Sequence, residues 1–338
     1  MFGIFLALLF GFSYLILQSR PPRTKENQSL SLWQKLESSA RPVLTVAESH
    51  EYIAFLEKLG QYGNAIEKCD QAISSFKKSK PAEVREFEKK KAELLVKSSD
   101  YHGAYEIGHR LYQKYAENEM GILCGRSAFM LKRYKEAEDA FLRIDPAKVL
   151  PGKKDQYRFY YGATLLKTFL EKIPRSEYLE KMKRKGFAQE PAILKIIDLM
   201  SPIEVSEKEE DGTLKEYRKE YLWYALLCKG AWEKIHDWMA PQQNAMGYEV
   251  QGIMYYCQGE FDKAVDSFTK CISMEPWESF YYNCRAESSV QIKNSDVNQI
   301  FDDCMKDLEL LPYDLSPINT LRSEENTSEL QSRQSISY

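Results

Sequence analysis

Histidines and cysteines are the side chains most able to carry chemistry here, so their spacing comes first. His50, His102, His109 and His236 are scattered along the chain. His102 and His109 are close enough to share a helix face, but no HExxH or carboxylate pattern accompanies them. Cys69, Cys124, Cys228, Cys257, Cys271, Cys284 and Cys304 contain no CxxC pair, so neither a zinc site nor a redox dithiol is indicated. GxGxxG and GxxxxGK[ST] phosphate loops are absent, as is the GxSxG nucleophile turn. The sequence therefore predicts no catalytic residue, no metal and no cofactor. It reads as a non-enzyme.

The elements that would have to position such groups read as helices. Hydrophobic residues make up 43% of the 338 and aromatic residues 13%, enough for a packed core. Only 16 Gly and 13 Pro punctuate the chain, few for a loop-rich β protein. A formal net charge of -3 leaves no basic surplus for nucleic acid. The cysteines fit the same picture, several of them standing where a helix packs a small apolar residue. The expectation is buried, reduced thiols, and their odd number favours a reducing compartment.

One stretch, 247–276, sets the period. Gly252, Tyr255, Gly259, Phe261, Ala264, Phe268, Cys271 and Pro276 follow one another as small, aromatic and terminating residues. Small residues let two antiparallel helices approach, aromatic ones fill the gaps, and the proline stops the second helix. Related runs occur at Leu59-Gly60-Gln61-Tyr62 with Ala65, Cys69 and Ala72, and at Ser99-Asp100-Tyr101 with Ala104, Gly108 and Leu111. Others lie at Gly125 and Ala128 with Tyr134, Ala137, Phe141 and Pro146, and at Asn283–Glu287 with Phe301–Pro312. With its period of about 34 residues, the pattern resembles the tetratricopeptide repeat.

That resemblance implies an all-α fold: a right-handed α-solenoid of helix-turn-helix units covering about 46–81, 85–117, 118–146, 245–276 and 279–312. Divergent helical pairs are expected over 155–241. Candidate helices there are Tyr157–Leu170 and Pro191–Met200, followed by a charged loop or helix end at Ser206–Lys219. The resemblance further implies a concave groove, lined by each first helix, that binds partner proteins or peptides. The groove positions expected to be exposed are Ile122, Arg126 and Phe129, then Met246, Glu249, Ile253 and Tyr256, then Phe280, Asn283 and Glu287. Tetratricopeptide co-chaperones that grip acidic chaperone tails use Lys and Asn near the first-helix Gly. Here Glu249, Val250 and Ile253 surround Gly252, and Cys284 precedes Arg285, which argues against that ligand. The mixed apolar and acidic groove fits a partner with apolar anchors and some basic residues.

The two ends read differently. From Phe2 to Leu17 the chain is apolar or small and carries no charge, followed by Arg20, Arg23 and Lys25. At 1.5 Å per residue this stretch reaches about 25 Å, enough for a thin bilayer. No basic residue precedes it and no small-x-small site follows, so it reads as an uncleaved transmembrane anchor (1–18) on a linker (19–44). Its basic flank keeps the repeats in the cytosol, on the mitochondrial outer membrane or the endoplasmic reticulum. The alternative is a cleaved signal and a lumenal chaperone-like adaptor, in which the Asn27-Gln28-Ser29 sequon would be usable. The segment 322–338 (RSEENTSELQSRQSISY) resembles a translated sequencing-library adapter, RSEEHTSELQS, with one base change giving Asn326. On that expectation native sequence stops near Leu321, and the array could also be the regulatory part of a larger enzyme.

Overall fold

The computed structural model describes residues 44–202, 212–232, 244–313 and 316–322, side chains being described from 218 onward in the second of these stretches. The expected anchor, most of the linker and all of the adapter-like tail but Arg322 lie outside the described residues. Among the described residues every regular element is helical, and no helix is long and apolar enough to cross a membrane. The chain divides into two compact units, 1–108 and 109–338.

The first unit holds α1 (Val46–Lys58), α2 (Tyr62–Phe76), α3 (Pro81–Lys97) and the start of α4 (Tyr101–Tyr115). Thr45 and Glu48 open α1 with a capping box: the Thr45 hydroxyl accepts from the Glu48 amide, and the Glu48 carboxylate accepts from the Thr45 amide at 2.8 Å. Pro81 opens α3, where a missing amide hydrogen costs nothing. Ile53, Leu56, Ala65, Cys69, Phe87 and Leu94 form the buried core between α1, α2 and α3. At its rim Lys90 and Lys97 of α3 pair with Glu57 of α1 at 2.6 and 3.0 Å. Burial pushes the Glu57 carboxyl upward, but the two ammonium groups outweigh it and hold it below the usual range.

The second unit takes up the end of α4 and continues with α5 (Asn118–Met130), α6 (Tyr134–Leu142), α7 (Lys154–Leu170), α8 (Arg175–Lys183), α9 (Pro191–Met200) and α10 (Gly212–Cys228). Then come α11 (Ala245–Gln258), α12 (Phe261–Met274), α13 (Ser279–Val290), α14 (Val297–Leu310) and a short helix at 316–322. From α5 the packing runs through α6 to α7, then α7 packs on α9, α9 on α10, α10 on α11, and α11 to α14 each on the next, while α8 lies against α11. The charged segment read as a loop or helix end enters α10 at Gly212, while 203–211 lies outside the described residues.

Two glycines explain how close the pairs come. A Cβ on Gly125 would lie 2.6 Å from the Phe141 ring, and one on Gly252 would lie 2.8 Å from Phe268. Both phenylalanines are fully buried, so the ring of each second helix lies directly over bare backbone of the first. The turn between α11 and α12 is closed by Gly259 at φ 81, a left-handed helix end that favours glycine. All seven cysteines are buried, and none forms a disulfide. Burial pushes the Cys69, Cys257 and Cys304 thiols up to about 12, which keeps them protonated.

Candidate functional site

The first helices α11 and α13 share one face, and its residues are the ones the groove argument names. Asn244 caps α11, accepting the Gly247 amide at 2.7 Å, and Glu278 caps α13, accepting the Phe280 amide at 3.4 Å. The structure brings Glu249, Ile253, Tyr256, Phe280, Asn283 and Glu287 to this face, but not as an open groove. Ile253 is fully buried, and Tyr256 and Asn283 are 2% and 1% exposed. Met246, Glu249, Phe280 and Glu287 are half-buried. The expectation of exposure is corrected here, and α8 covers part of the face, meeting Tyr256 and Phe280.

Every stretch of α8 contributes. Tyr178, Leu179 and Met182 are buried at 4%, 1% and 0%. The Tyr178 ring meets Phe280 edge-on at 5.1 Å. Its hydroxyl donates to Tyr224 of α10, which donates to Glu249 at 2.9 Å. At the N-terminal end Arg175 donates to the Ser279 hydroxyl at 2.7 Å and approaches Glu278 and Asp307 at 3.5 and 3.4 Å. Toward the other end Tyr256 donates to Glu180 at 3.1 Å, and the Lys183 ammonium stands over the Tyr256 and Phe261 rings. A cavity of about 300 Å³ remains beside it, lined by Glu180, Tyr256, Glu287 and residues of the 316–322 helix.

The other three groove candidates stand elsewhere. Ile122 and Phe129 of α5 are buried at 2% and 8%. Phe129 packs among Tyr134, Tyr160 and Tyr221, and the Arg126 guanidinium lies over Tyr160 at 5.3 Å. These positions are covered by the following helices, so their exposure is corrected as well. The sequence reading expected divergent helical pairs over 155–241 but did not single out α8. Its signal was Tyr178, Leu179 and Met182 on one helical stripe after Pro174, inside a stretch with no readable repeat.

Glu249 is the electrostatic centre of the face. Burial pushes its carboxyl above the ordinary range, opposed by Lys167 and the Tyr224 hydrogen bond and reinforced by Glu278 and Glu275. The native state therefore holds this proton more tightly than the unfolded chain. The resulting penalty is absent below the ordinary carboxylate value of 4.5 and fully present above the raised native one. Glu249→Gln keeps an acceptor for Tyr224 without the charge. We expect its melting temperature to match wild type in acid and to exceed it increasingly as pH rises to neutral. A constant difference across that range would contradict the assignment.

Among the described residues no group of three His, Cys, Asp or Glu side chains is placed to hold a metal. What the face can do is receive a helix. No protein-family model and no curated protein matches the chain. Similar solved structures include a tetratricopeptide repeat protein from Parabacteroides merdae, at 17% identity and TM-score 0.41 over 89% of this chain and 98% of that one. The TPR2AB domain of yeast Sti1 in its pHSP90 complex has 14% identity and TM-score 0.25, covering 73% and 86%. The Cut9–Hcn1 hetero-tetramer of APC/C has 13% identity and TM-score 0.33, covering 91% and 74%. At such values the architecture rests on this chain's own packing, above all on Phe141 over Gly125 and Phe268 over Gly252. The array is tetratricopeptide-like.

Proposed function

We propose that this chain is a protein–protein interaction scaffold, anchored in a membrane through Phe2 to Leu17, with its repeats in the cytosol. The observation that carries the scaffold reading is the α11–α13 face, on which α8 sets Tyr178 against Phe280 and Arg175 beside Glu278 and Asp307. The uncharged first segment and its basic flank support the anchor and its orientation. Seven buried thiols, none in a disulfide, support the reducing side of the membrane.

Protease protection tests the topology. Residues 1–321 carrying a C-terminal tag are expected to stay membrane-bound through alkaline extraction, at full length. The tag is expected to be digested without detergent. A protected tag on a shortened chain, glycosylated at Asn27, would instead make the protein a lumenal adaptor. Partner proteins recovered with the solubilised full chain test the scaffold reading itself. Recovery of the chain alone, after mild crosslinking of intact membranes, would count against it.

A further inference from the structure

The stack of helices in the second unit is continuous without α8. The contacts run from α7 to α9, then α10 and α11, and α8 joins from the side. Its nine residues nevertheless bury Tyr178, Leu179 and Met182, set the Tyr178 ring against Phe280, and place cations at or near both ends. Arg175 reaches Glu278 and Asp307, and Lys183 lies over aromatic rings. The face is complementary in kind, with the Ile253, Tyr256 and Phe280 side chains bordered by Glu249, Glu278, Glu287 and Asp307. A segment that binds as a ligand would bind, and that the stack does not need, is a ligand supplied in cis.

We infer that the α11–α13 face is a helix-binding site that α8 occupies from within the chain. Its external partner is a protein presenting a helix of the same chemistry. That helix carries a cation one turn before an aromatic–aliphatic pair, a further apolar residue one turn on, and a cation at its end. This deepens the scaffold reading and rests on it. Binding the partner displaces α8, so the tethered helix sets the threshold. A tethered segment competes at an effective concentration on the order of millimolar, which lowers a partner's apparent affinity by roughly ten- to a hundredfold.

The test uses the full chain and, as probe, a fluorescein-labelled peptide of residues 171–190. The double variant Leu179→Ala, Met182→Ala weakens the internal occupant. It is expected to bind the peptide at least about tenfold more tightly than wild type does. A peptide with Tyr178, Leu179 and Met182 all replaced by Ala is expected not to bind. Equal affinity of both proteins for the probe, or equal binding of both peptides, overturns the proposal. Should the variant fail to fold, hydrogen exchange on wild type decides. Saturating peptide is expected to raise exchange at 175–183 while α12 stays protected, and unchanged exchange overturns the proposal. Partners recovered from membranes alongside unchanged exchange would leave the scaffold reading intact and remove only this site.

Discussion

Arg285→Met is expected to destabilise the second unit by about 3–5 kcal/mol, because it leaves a buried carboxylate without its cation. Arg285 of α13 grips Asp303 of α14 with two parallel bonds, Nε to Oδ2 at 2.8 Å and Nη2 to Oδ1 at 2.6 Å. Asp303 is 2% exposed and Arg285 side-chain exposure is 13%, so water replaces little of what is lost. The remaining amine, Nη1, donates to Thr269 of α12 at 3.1 Å, tying three successive helices. Gln299 also donates to Asp303, at 3.1 Å, but a neutral amide does not neutralise the charge. Replacing both partners, Arg285→Met with Asp303→Leu, is expected to recover most of the loss, since an apolar pair needs no desolvation. Urea unfolding followed by circular dichroism checks both. A single variant within about 1 kcal/mol of wild type would mean the pair is not a strut, because buried pairs broken on one side cost several times that.

The second large effect belongs to Gly252. Two opposing terms act when a side chain is added there. A helix-interior glycine replaced by a better helix former gains up to about 1 kcal/mol. Against this, a Cβ at Gly252 would stand 2.8, 2.9 and 3.1 Å from ring atoms of Phe268, and that ring is fully buried. Gly252→Leu adds three further carbons into the same space, so overpacking wins, at about 1–3 kcal/mol or more. Combining it with Phe268→Ala is expected to restore part of the loss, because the removed ring vacates the volume the leucine needs. Thermal unfolding of the two single variants and the double variant gives the coupling. Additive losses would show that the two positions do not meet, contrary to the packing described.

How much of this was legible from the residues differs from place to place. Gly252, Ala264, Phe268 and Cys271 belong to one contiguous helical pair, and their small-and-aromatic spacing states which positions touch. The same holds for Gly125 with Phe141. The helix Pro191–Met200 is equally readable, with a proline at its first position and an apolar stripe behind it. The expected groove exposure was not right, since a repeat pattern names the residues of a face without saying what covers it.

What the sequence determined by itself is therefore the local architecture: helices and their pairing partners in the repeats. These follow from contacts within one repeat, where chain connectivity supplies the proximity. What the tertiary structure alone decided is the state of the α11–α13 face. Arg175 and Asp307 are 132 residues apart, and Tyr178 and Tyr224 are 46. No periodicity links such positions. They meet because α9 takes the place beside α7 that α8 would have filled, and α8, with an apolar stripe to bury, finds its cover on α11.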